Sequence, residues 1–311
     1  MNNKTIFVSI ASYRDAELNP TIDSLLSNAA NPNRIRIGVF AQVDFENEYH
    51  CIAKETEFIR QKVIDYRESK GACWARSKIQ TDLMGNEDYY FQIDSHSRFV
   101  EGWDTKLIKL LETQGDNAVI STYPAGYDYP DILHPQNYIW FYCKTATSDK
   151  LPYIESYVKE FDNPPKPMEL TAFIAGGFYF THMATVRKVP YDPYLYFFGE
   201  EISLAARLYT HGFNVYIPNI PIMWHKYNTN NDKPVHWTDH TSHNELDNLS
   251  RARIQHLFSI KPSFDKDVTK DILKYNLGTV RSLRSYQVYS GFYFKTATIE
   301  EWCKTGKVML T

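Results

Sequence analysis

The sequence predicts an α/β protein with a mostly parallel central sheet that is flanked by helices. Residues 5–11 and 34–43 are apolar runs of strand length, and residues 21–30 between them have apolar side chains at helical spacing. A crossover of this length joins parallel neighbours in a right-handed βαβ unit. Residues 89–96 form a third aromatic and apolar run, which is typical of a strand buried on both faces of a parallel sheet.

The elements around this third run continue the alternation. Helical spacing is present in residues 72–84 and 103–114, and Gly115 is a natural stop for the second of these helices. Short strands are predicted at residues 62–66 and 118–123. Strands and helices therefore alternate through the first 123 residues.

Regular patterning is lost between residues 127 and 167, where six prolines fall from Pro130 to Pro167. Loops of this length in compact domains are usually functional or mobile. We therefore interpret this stretch as a long excursion on the substrate side of the protein.

The alternation resumes after this excursion. Residues 171–181 are predicted to form a strand that contains Gly176-Gly177, and paired glycines in a strand indicate a bulge or a close approach of the backbone to a ligand. A helix is predicted to begin at Gly199-Glu200-Glu201 and to end at Gly212. A strand at residues 214–218, a segment at 221–227 and a helix at 245–258 follow. A boundary near residue 240 would separate a large domain, residues 1–240, from a C-terminal helical extension packed on it, residues 241–311.

Composition and charge exclude several classes of function. The 311 residues include 34 Lys and Arg against 37 Asp and Glu, and the net charge of −3 gives no electrostatic footprint for nucleic acid or an anionic membrane. No apolar stretch approaches the roughly 20 residues of a membrane helix, no signal peptide precedes the first strand, and the four cysteines form no Cys-x-x-Cys motif. We therefore expect a cytoplasmic protein without a membrane span or a nucleic-acid partner. The absence of Gly-x-Gly-x-x-Gly disfavours a nicotinamide-dependent dehydrogenase.

The run at residues 89–96 ends in Asp94-Ser95-His96, a carboxylate and an imidazole two residues apart. Alternate residues of an extended chain point the same way, and ligands collect at the carboxyl ends of strands in open α/β sheets. Two metal-capable side chains aimed together indicate a divalent cation site. Asp-x-His also arises by chance about once in a chain of this length, so capping and core hydrogen bonding stay open as alternatives.

Six motifs, in chain order, resemble those of the polypeptide N-acetylglucosaminyltransferases. They are IFVSIASYRD, GACWARSKIQ, YYFQIDSHSRFVEGWD, AGGFYF, FFGEEISLAARLYTHGFNVYIPNIPIMWHKY and RSLRSYQVYSGFYF, and they run from residue 6 to about residue 294. The central part also resembles the mucin-type polypeptide N-acetylgalactosaminyltransferases. The resemblance implies a GT-A fold for residues 1–240, in which a Rossmann-like sheet binds a nucleotide sugar through Mn²⁺ or Mg²⁺.

The resemblance also implies which residues hold the metal ion. Asp94 and His96 are similar to the family's Asp-x-His pair, and His225 in Trp224-His225-Lys226 matches the distant third ligand. Carboxylate and imidazole groups suit such a borderline cation. The alternative for His225 is an ordinary core or surface histidine.

Nucleotide and sugar contacts are implied for further positions. The resemblance assigns the uridine to Ala11, Ser12, Tyr13 and Arg14, the diphosphate to Arg76, and the donor sugar to Gly176, Gly177, Glu200 and Glu201. Gly71 would allow a close backbone approach to the nucleotide, and Ser95 is a further expected cofactor-binding residue. Asp94, Glu200 and Glu201 are the expected catalytic residues. Strand capping, a solvated helix arginine and acids that favour a helix dipole are the corresponding structural alternatives.

The function implied is metal-dependent, retaining transfer of GlcNAc from UDP-GlcNAc to a Ser, Thr or hydroxyproline hydroxyl of a polypeptide. Since no side chain is an evident nucleophile, we expect front-face attack, with catalysis by positioning and charge stabilisation. One alternative keeps the fold and changes the acceptor to a glycan or lipid-linked sugar. Another is a non-catalytic module that binds a sugar nucleotide or carbohydrate. A metal-dependent hydrolase is disfavoured, because no water-activating base is marked beside Asp94-Ser95-His96.

Overall fold

An eight-stranded sheet forms the centre of the structure, a computed structural model that describes residues 4–160, 166–227 and 234–310. The strands, in chain order, are β1 (Ile6–Tyr13), β2 (Ile35–Val43), β3 (Ile59–Asp65), β4 (Tyr89–Asp94), β5 (Ser97–Phe99), β6 (Ala118–Ile120), β7 (Ala125–Asp128), β8 (Ile132–Leu133), β9 (Asn137–Ala146), β10 (Pro152–Glu160), β11 (Leu170–Thr171), β12 (Phe178–His182), β13 (Asn214–Tyr216), β14 (Met223–His225), β15 (Phe292–Tyr293) and β16 (Thr298–Ile299). The helices are α1 (Leu18–Ser27), α2 (Ala72–Asp82), α3 (Trp103–Glu112), α4 (Met183–Lys188), α5 (Glu200–Thr210), α6 (His236–Asp239), α7 (His243–Leu257), α8 (Leu283–Ser290) and α9 (Glu301–Lys304).

The central sheet is mostly parallel, as the opening of the sequence predicts. Its strand order is β11-β13-β6-β12-β4-β1-β2-β3. The pairs β1–β2, β2–β3, β1–β4 and β6–β13 are parallel, whereas β12 runs antiparallel to both of its neighbours. The carboxyl ends of β1, β2 and β4 therefore lie side by side at one edge of the sheet, where ligands collect in open α/β sheets.

Burial on both faces explains the continuous apolar runs of the central strands. In β1, Ile6, Phe7 and Val8 are fully buried although successive side chains point to opposite faces. Helix α2 packs against β1 and β2 and brings the ring of Trp74 onto Phe40. The sheet is covered on both sides, so strands at its centre need apolar residues at every position.

Two stretches differ from their predictions. The strand expected at residues 171–181 is interrupted: β11 ends at Thr171, β12 begins at Phe178, and only these ends join the main ladder. The excursion expected at residues 127–167 contains a long antiparallel hairpin, β9–β10. Both faces of β9 carry large apolar side chains, for example buried Phe141 and its neighbour Trp140, so the alternation that marks a strand is hidden. Residues 161–165 of this excursion lie outside the described part of the chain.

A smaller sheet, with the order β5-β14-β7-β8, joins the main sheet where β4 ends. Strand β5 begins only three residues after Asp94, and its Ser97 pairs with His225 of β14. Because of this register, His225 lies at the carboxyl end of β4 although it is distant from β4 in sequence.

The C-terminal segment packs on the main sheet rather than apart from it. Ile254, Tyr286 and Phe292 belong to the same buried cluster as the central strands, and the Tyr286 hydroxyl donates a hydrogen bond to the carbonyl oxygen of Ala172, at 2.7 Å. The domain boundary near residue 240 stays a prediction. Among the described residues, no helix combines the length and the apolar character that crossing a bilayer requires.

Candidate functional site

Asp94, His96 and His225 meet at the carboxyl end of β4. One oxygen or nitrogen atom from each side chain lies within 4.8 Å of the other two. The His225 Nε2 atom is 3.1 Å from Asp94 Oδ2, and the two imidazole ring centroids are 4.7 Å apart. The pairing of Ser97 with His225 accounts for this arrangement, because it aligns β14 with the turn that carries His96. The three side chains that the sequence singles out as metal ligands are therefore brought together.

Asp94 is held as a carboxylate by its surroundings. Burial alone would raise its pKa, but the hydrogen bond with His225 and the charge of Arg76 lower the pKa of Asp94 well below its usual range. Arg76 Nη2 donates to Asp94 Oδ1 at 3.0 Å, while the other carboxylate oxygen faces His225. Asp94 is therefore negatively charged at neutral pH.

Arg76 joins two carboxylates on different elements. It projects from α2, is 5% exposed, and forms ion pairs with Asp94 at the end of β4 and with Glu200 at the start of α5. The Cys73 thiol, one turn before Arg76 on α2, donates to the second oxygen of Glu200 at 2.7 Å. Arg76 is therefore an internal ion-pair partner and not a solvated helix arginine.

Gly176 and Gly177 pack directly against these charged groups. A Cβ atom at Gly177 would lie 2.5 Å from Asp94 Oδ2, and one at Gly176 would lie 2.6 Å from Glu200 Oε1. No heavy atom fits at such distances unless the carboxylates move. Gly176 and Gly177 thus let the backbone approach the acidic side chains of Asp94 and Glu200 closely.

Glu201 occupies a different environment from Glu200. Its carboxylate accepts hydrogen bonds from the Gly176 backbone N–H at 2.7 Å and from the Tyr123 hydroxyl at 2.8 Å. Burial, together with the neighbouring charge of Glu200, raises the pKa of Glu201 to about 7. Glu201 therefore exchanges a proton near neutral pH, whereas Asp94 does not.

A cavity of about 300 Å³ opens beside the three candidate ligands. Of the residues expected to bind a nucleotide or metal ion, those that line it are Ala11, Tyr13, Gly71, Arg76, Asp94, Ser95, His96 and His225. Ser12, Arg14, Gly176, Gly177, Glu200 and Glu201 are not among its lining residues. The cavity thus gathers the ends of β1 and β4, the start of α2 and the end of β14.

Ser12 and Arg14 lie outside the lining of the cavity and bond to other groups of the protein. Arg14 adopts a left-handed backbone conformation, with φ of 49°, and forms ion pairs with Glu48 and Asp239. The carbonyl oxygen of Ser12 accepts a hydrogen bond from the Gln42 side chain at 3.1 Å. Asp239 also accepts a hydrogen bond from the Tyr13 hydroxyl, so the end of β1 is tied to α6.

Several lining residues were not predicted. Gln42 lies at the end of β2 and receives a 2.5 Å hydrogen bond from the Ser69 hydroxyl. The rule that ligands collect at strand ends would have found Gln42, had it been applied to β2 as it was to β1 and β4. Phe197 and Trp237 line the mouth of the cavity with their rings in contact. Phe197 lies in an irregular segment and Trp237 in the four-residue helix α6, and neither stretch is long enough to show a periodic signal.

Comparisons with known proteins agree with this architecture. The family model described as Glycosyltransferase (GlcNAc) matches residues 5–58 and 53–296. The crystal structure of GalNAc-T7 with UDP, GalNAc and Mn²⁺ superposes with a TM-score of 0.58 at 12% identity, over 91% of this chain and 56% of that one. A structure of S. aureus TarS 1-349 superposes with a TM-score of 0.49 at 9% identity, over 91% of this chain and 71% of that one. No curated protein matched by sequence.

The likeness to GalNAc-T7 shows the fold, because the identity is too low to show more. The chain has a GT-A glycosyltransferase fold, as the sequence motifs implied, and it spans about half the length of GalNAc-T7.

Proposed function

This chain belongs to the Glycosyltransferase (GlcNAc) family, and from that membership we propose that it transfers GlcNAc from UDP-GlcNAc to a Ser, Thr or hydroxyproline hydroxyl of a polypeptide. The observation that carries the proposal is the convergence of Asp94, His96 and His225 beside a cavity at the carboxyl end of the sheet. A glycosyltransferase that uses a nucleotide diphosphate sugar needs such a site, because negative charge develops on the departing diphosphate.

The chemistry of the three side chains fits a divalent cation. One carboxylate and two imidazoles, with ligand atoms no more than 4.8 Å apart, form a mixed oxygen and nitrogen set suited to Mn²⁺. Asp94, His96 and His225 would hold the ion, which when bound supplies Lewis-acid stabilisation of the diphosphate leaving group. The presence of Mn²⁺ with UDP in the GalNAc-T7 structure supports this assignment.

We assign the nucleotide to the cavity. Ala11, Tyr13 and Gly71 would surround the uridine, and Ser95 would face the diphosphate. Arg76 lines the same cavity, but its ion pairs with Asp94 and Glu200 give it a second role, which is to hold Asp94 in place. Its guanidinium presents several donors in a fixed plane and can therefore serve both carboxylates at once.

The donor sugar is assigned to the Gly176-Gly177 backbone and to Glu200 and Glu201. In this proposal the acceptor hydroxyl attacks C1 on the face from which UDP leaves. The new C1–O bond forms as the bond to the phosphate oxygen breaks, and that phosphate oxygen takes the hydroxyl proton. The residues of the chain contribute by positioning and by charge stabilisation.

A UDP-release assay over several UDP-sugars, with and without Mn²⁺, tests the proposal. We expect turnover with UDP-GlcNAc that depends on Mn²⁺, and a loss of at least about 10²–10³ in rate for Asp94→Ala, since one stabiliser of the developing charge is removed. Near wild-type turnover by Asp94→Ala in the presence of Mn²⁺ would refute the metal assignment. Peptide and glycan arrays then identify the acceptor, and labelling of glycans alone would refute the polypeptide assignment.

A further inference from the structure

We propose that Asp15 is a positioning residue, which holds the His96 ring with Nδ1 protonated so that the lone pair lies on Nε2. Asp15 lies two residues after the end of β1, and its Oδ2 atom is 2.7 Å from His96 Nδ1. The inference rests on the proposed function, because it gives a purpose to the orientation of a candidate metal ligand. Asp15 is the last residue of the first motif, IFVSIASYRD, but no role was predicted for it, since a carboxylate after a strand is commonly a cap.

The hydrogen bonds of Asp15 determine which atom donates. Its Oδ1 accepts from the Glu17 backbone N–H at 3.0 Å, and its Oδ2 accepts from the Ser95 hydroxyl at 2.7 Å. Asp15 is 1% exposed. A carboxylate can only accept hydrogen bonds, so the proton between Asp15 and His96 belongs to the imidazole Nδ1. A neutral ring with Nδ1 protonated carries its metal-binding lone pair on Nε2.

The turn that carries His96 is fixed from a second side. The Thr21 hydroxyl, on α1, donates to the Ser95 carbonyl oxygen at 2.9 Å and accepts from the Ser97 backbone N–H at 2.8 Å. Hydrogen bonds from Thr21 on α1 therefore fix the backbone on both sides of His96, and the hydrogen bond to Asp15 orients the His96 ring. Histidines that bind metal ions commonly donate their other ring N–H to a carboxylate, which orients the ring and raises the basicity of the ligand nitrogen.

Asp15→Asn is the informative substitution, because an amide cannot replace both carboxylate oxygens. If the amide NH₂ faces His96, the ring must accept at Nδ1 and shift its proton to Nε2. If the amide oxygen faces His96 instead, the NH₂ group opposes the Glu17 N–H. Glu17→Gln is the matched control, since Glu17 is a neighbouring buried acid that contacts Arg98 and Tyr127 instead of His96.

Nitrogen-15 NMR of the histidine rings tests the tautomer without any metal ion. The long-range ¹H–¹⁵N correlation spectrum of the wild-type chain should show His96 with Nδ1 protonated, and His96→Gln identifies the signal by removing it. We expect Asp15→Asn to lose this tautomer and Glu17→Gln to keep it. A wild-type His96 protonated at Nε2 overturns the proposal, even if Asp15→Asn does not fold.

The affinity of the chain for Mn²⁺ tests whether Asp15 supports metal binding by His96. It is measured by electron paramagnetic resonance of the free ion. We expect Asp15→Asn to bind Mn²⁺ about 10- to 100-fold more weakly than wild type, the range observed when a residue that supports a metal ligand is changed. Glu17→Gln should bind as wild type does. Equal affinity of Asp15→Asn and wild type, or an equal loss in both variants, would refute a positioning role. A wild-type chain that binds no Mn²⁺ overturns the proposed metal dependence itself, so the two failures are distinguishable.

Discussion

Arg76 is the residue on which the charge balance of the site depends. Its guanidinium lies between Asp94 and Glu200, and all three side chains are largely shielded from water. Two carboxylates this close to one another repel, and a buried carboxylate without a partner is costly. Arg76 therefore offsets the negative charge of two acids from different elements, β4 and α5.

Replacement of Arg76 by Met should destabilise the protein by about 3 to 5 kcal/mol, because it leaves uncompensated buried carboxylates. Urea denaturation at pH 7 measures this change. Arg67→Met is the control: Arg67 pairs with Asp65, but its side chain is 60% exposed, so we expect a much smaller loss than for Arg76→Met. Equal losses in the two variants would show that the buried pairs contribute no more than an exposed one.

Glu201 makes the stability of the native state depend on pH. Its folded pKa of about 7 lies above the ordinary value of 4.5, so the native state binds the proton more tightly than the unfolded chain does. The unfolded chain ionises first as the pH rises from 4.5 to 7, and stability falls through that window. Glu201→Gln cannot ionise; its Oε1 can accept from the Gly176 N–H, and its Nε2 can donate to the Tyr123 hydroxyl oxygen.

We therefore expect Glu201→Gln to match the wild type in stability near pH 4.5 and to exceed it above pH 7. The shift corresponds to a gain of at most about 3 kcal/mol, at 1.36 kcal/mol for each pH unit. Thermal unfolding across this pH range measures the difference. Glu57→Gln, at an exposed position, should follow the wild-type profile throughout. A constant offset between Glu201→Gln and wild type at every pH would contradict the assignment of the proton to Glu201.

At the scale of elements, strands buried on both faces were predictable and the partly covered hairpin was not. Strands β1 and β4 are almost continuous apolar runs, so the sequence could locate the polar residues at their carboxyl ends, whereas Gln42 at the end of β2 was missed. In β9–β10 the aromatic side chains occupy both faces, and Trp140 stacks on Tyr157 across the strands at the exposed side. Apolar residues on an exposed face remove the alternation on which strand prediction depends.

The interruption between β11 and β12 has a physical cause that the Gly176-Gly177 pair indicated only in part. Gly176 and Gly177 leave the ladder where Asp94, Arg76 and Glu200 need space. A glycine pair predicts a close approach, but not what approaches, because the partners come from three other elements. The candidate metal ligands Asp94, His96 and His225 were predicted through motifs of the family that the sequence resembles, whereas the contact of Asp15 with His96 is encoded by no local pattern.

Gly177→Ala tests this steric account. The added Cβ would lie 2.5 Å from Asp94 Oδ2, so the carboxylate must move away from His225. We expect Mn²⁺ affinity to fall at least about tenfold, because the geometry of one ligand is lost. Gly115→Ala is the control: Gly115 also disfavours a side chain, through its φ of 85°, but no atom lies within 4 Å of the added Cβ. A Gly177→Ala variant with wild-type Mn²⁺ affinity would contradict the proposed close packing.

At the scale of the whole molecule, the site is assembled from segments that are far apart in sequence. Asp94 and His225 are separated by 131 residues, and the register of β5 with β14 is what joins them. The hydrophobic core also joins distant parts of the sequence. Ile254, Tyr286 and Phe292 belong to the same buried cluster as residues of β1 and β4. The main sheet and the C-terminal segment therefore share one hydrophobic core.

A chain that shares one core should unfold in one step. We expect calorimetry of the full chain to give a single transition with equal calorimetric and van't Hoff enthalpies. A fragment of residues 1–240 should lack this transition and bind Mn²⁺ weakly, because removal of the C-terminal segment exposes apolar surface around Ala172 and the adjoining sheet. Tyr286→Phe is the local control: it removes one buried hydrogen bond and should cost only about 1 kcal/mol while the transition stays single. Two separate transitions, or a cooperatively folded 1–240 fragment, would show instead that residues 241–311 form an independent unit.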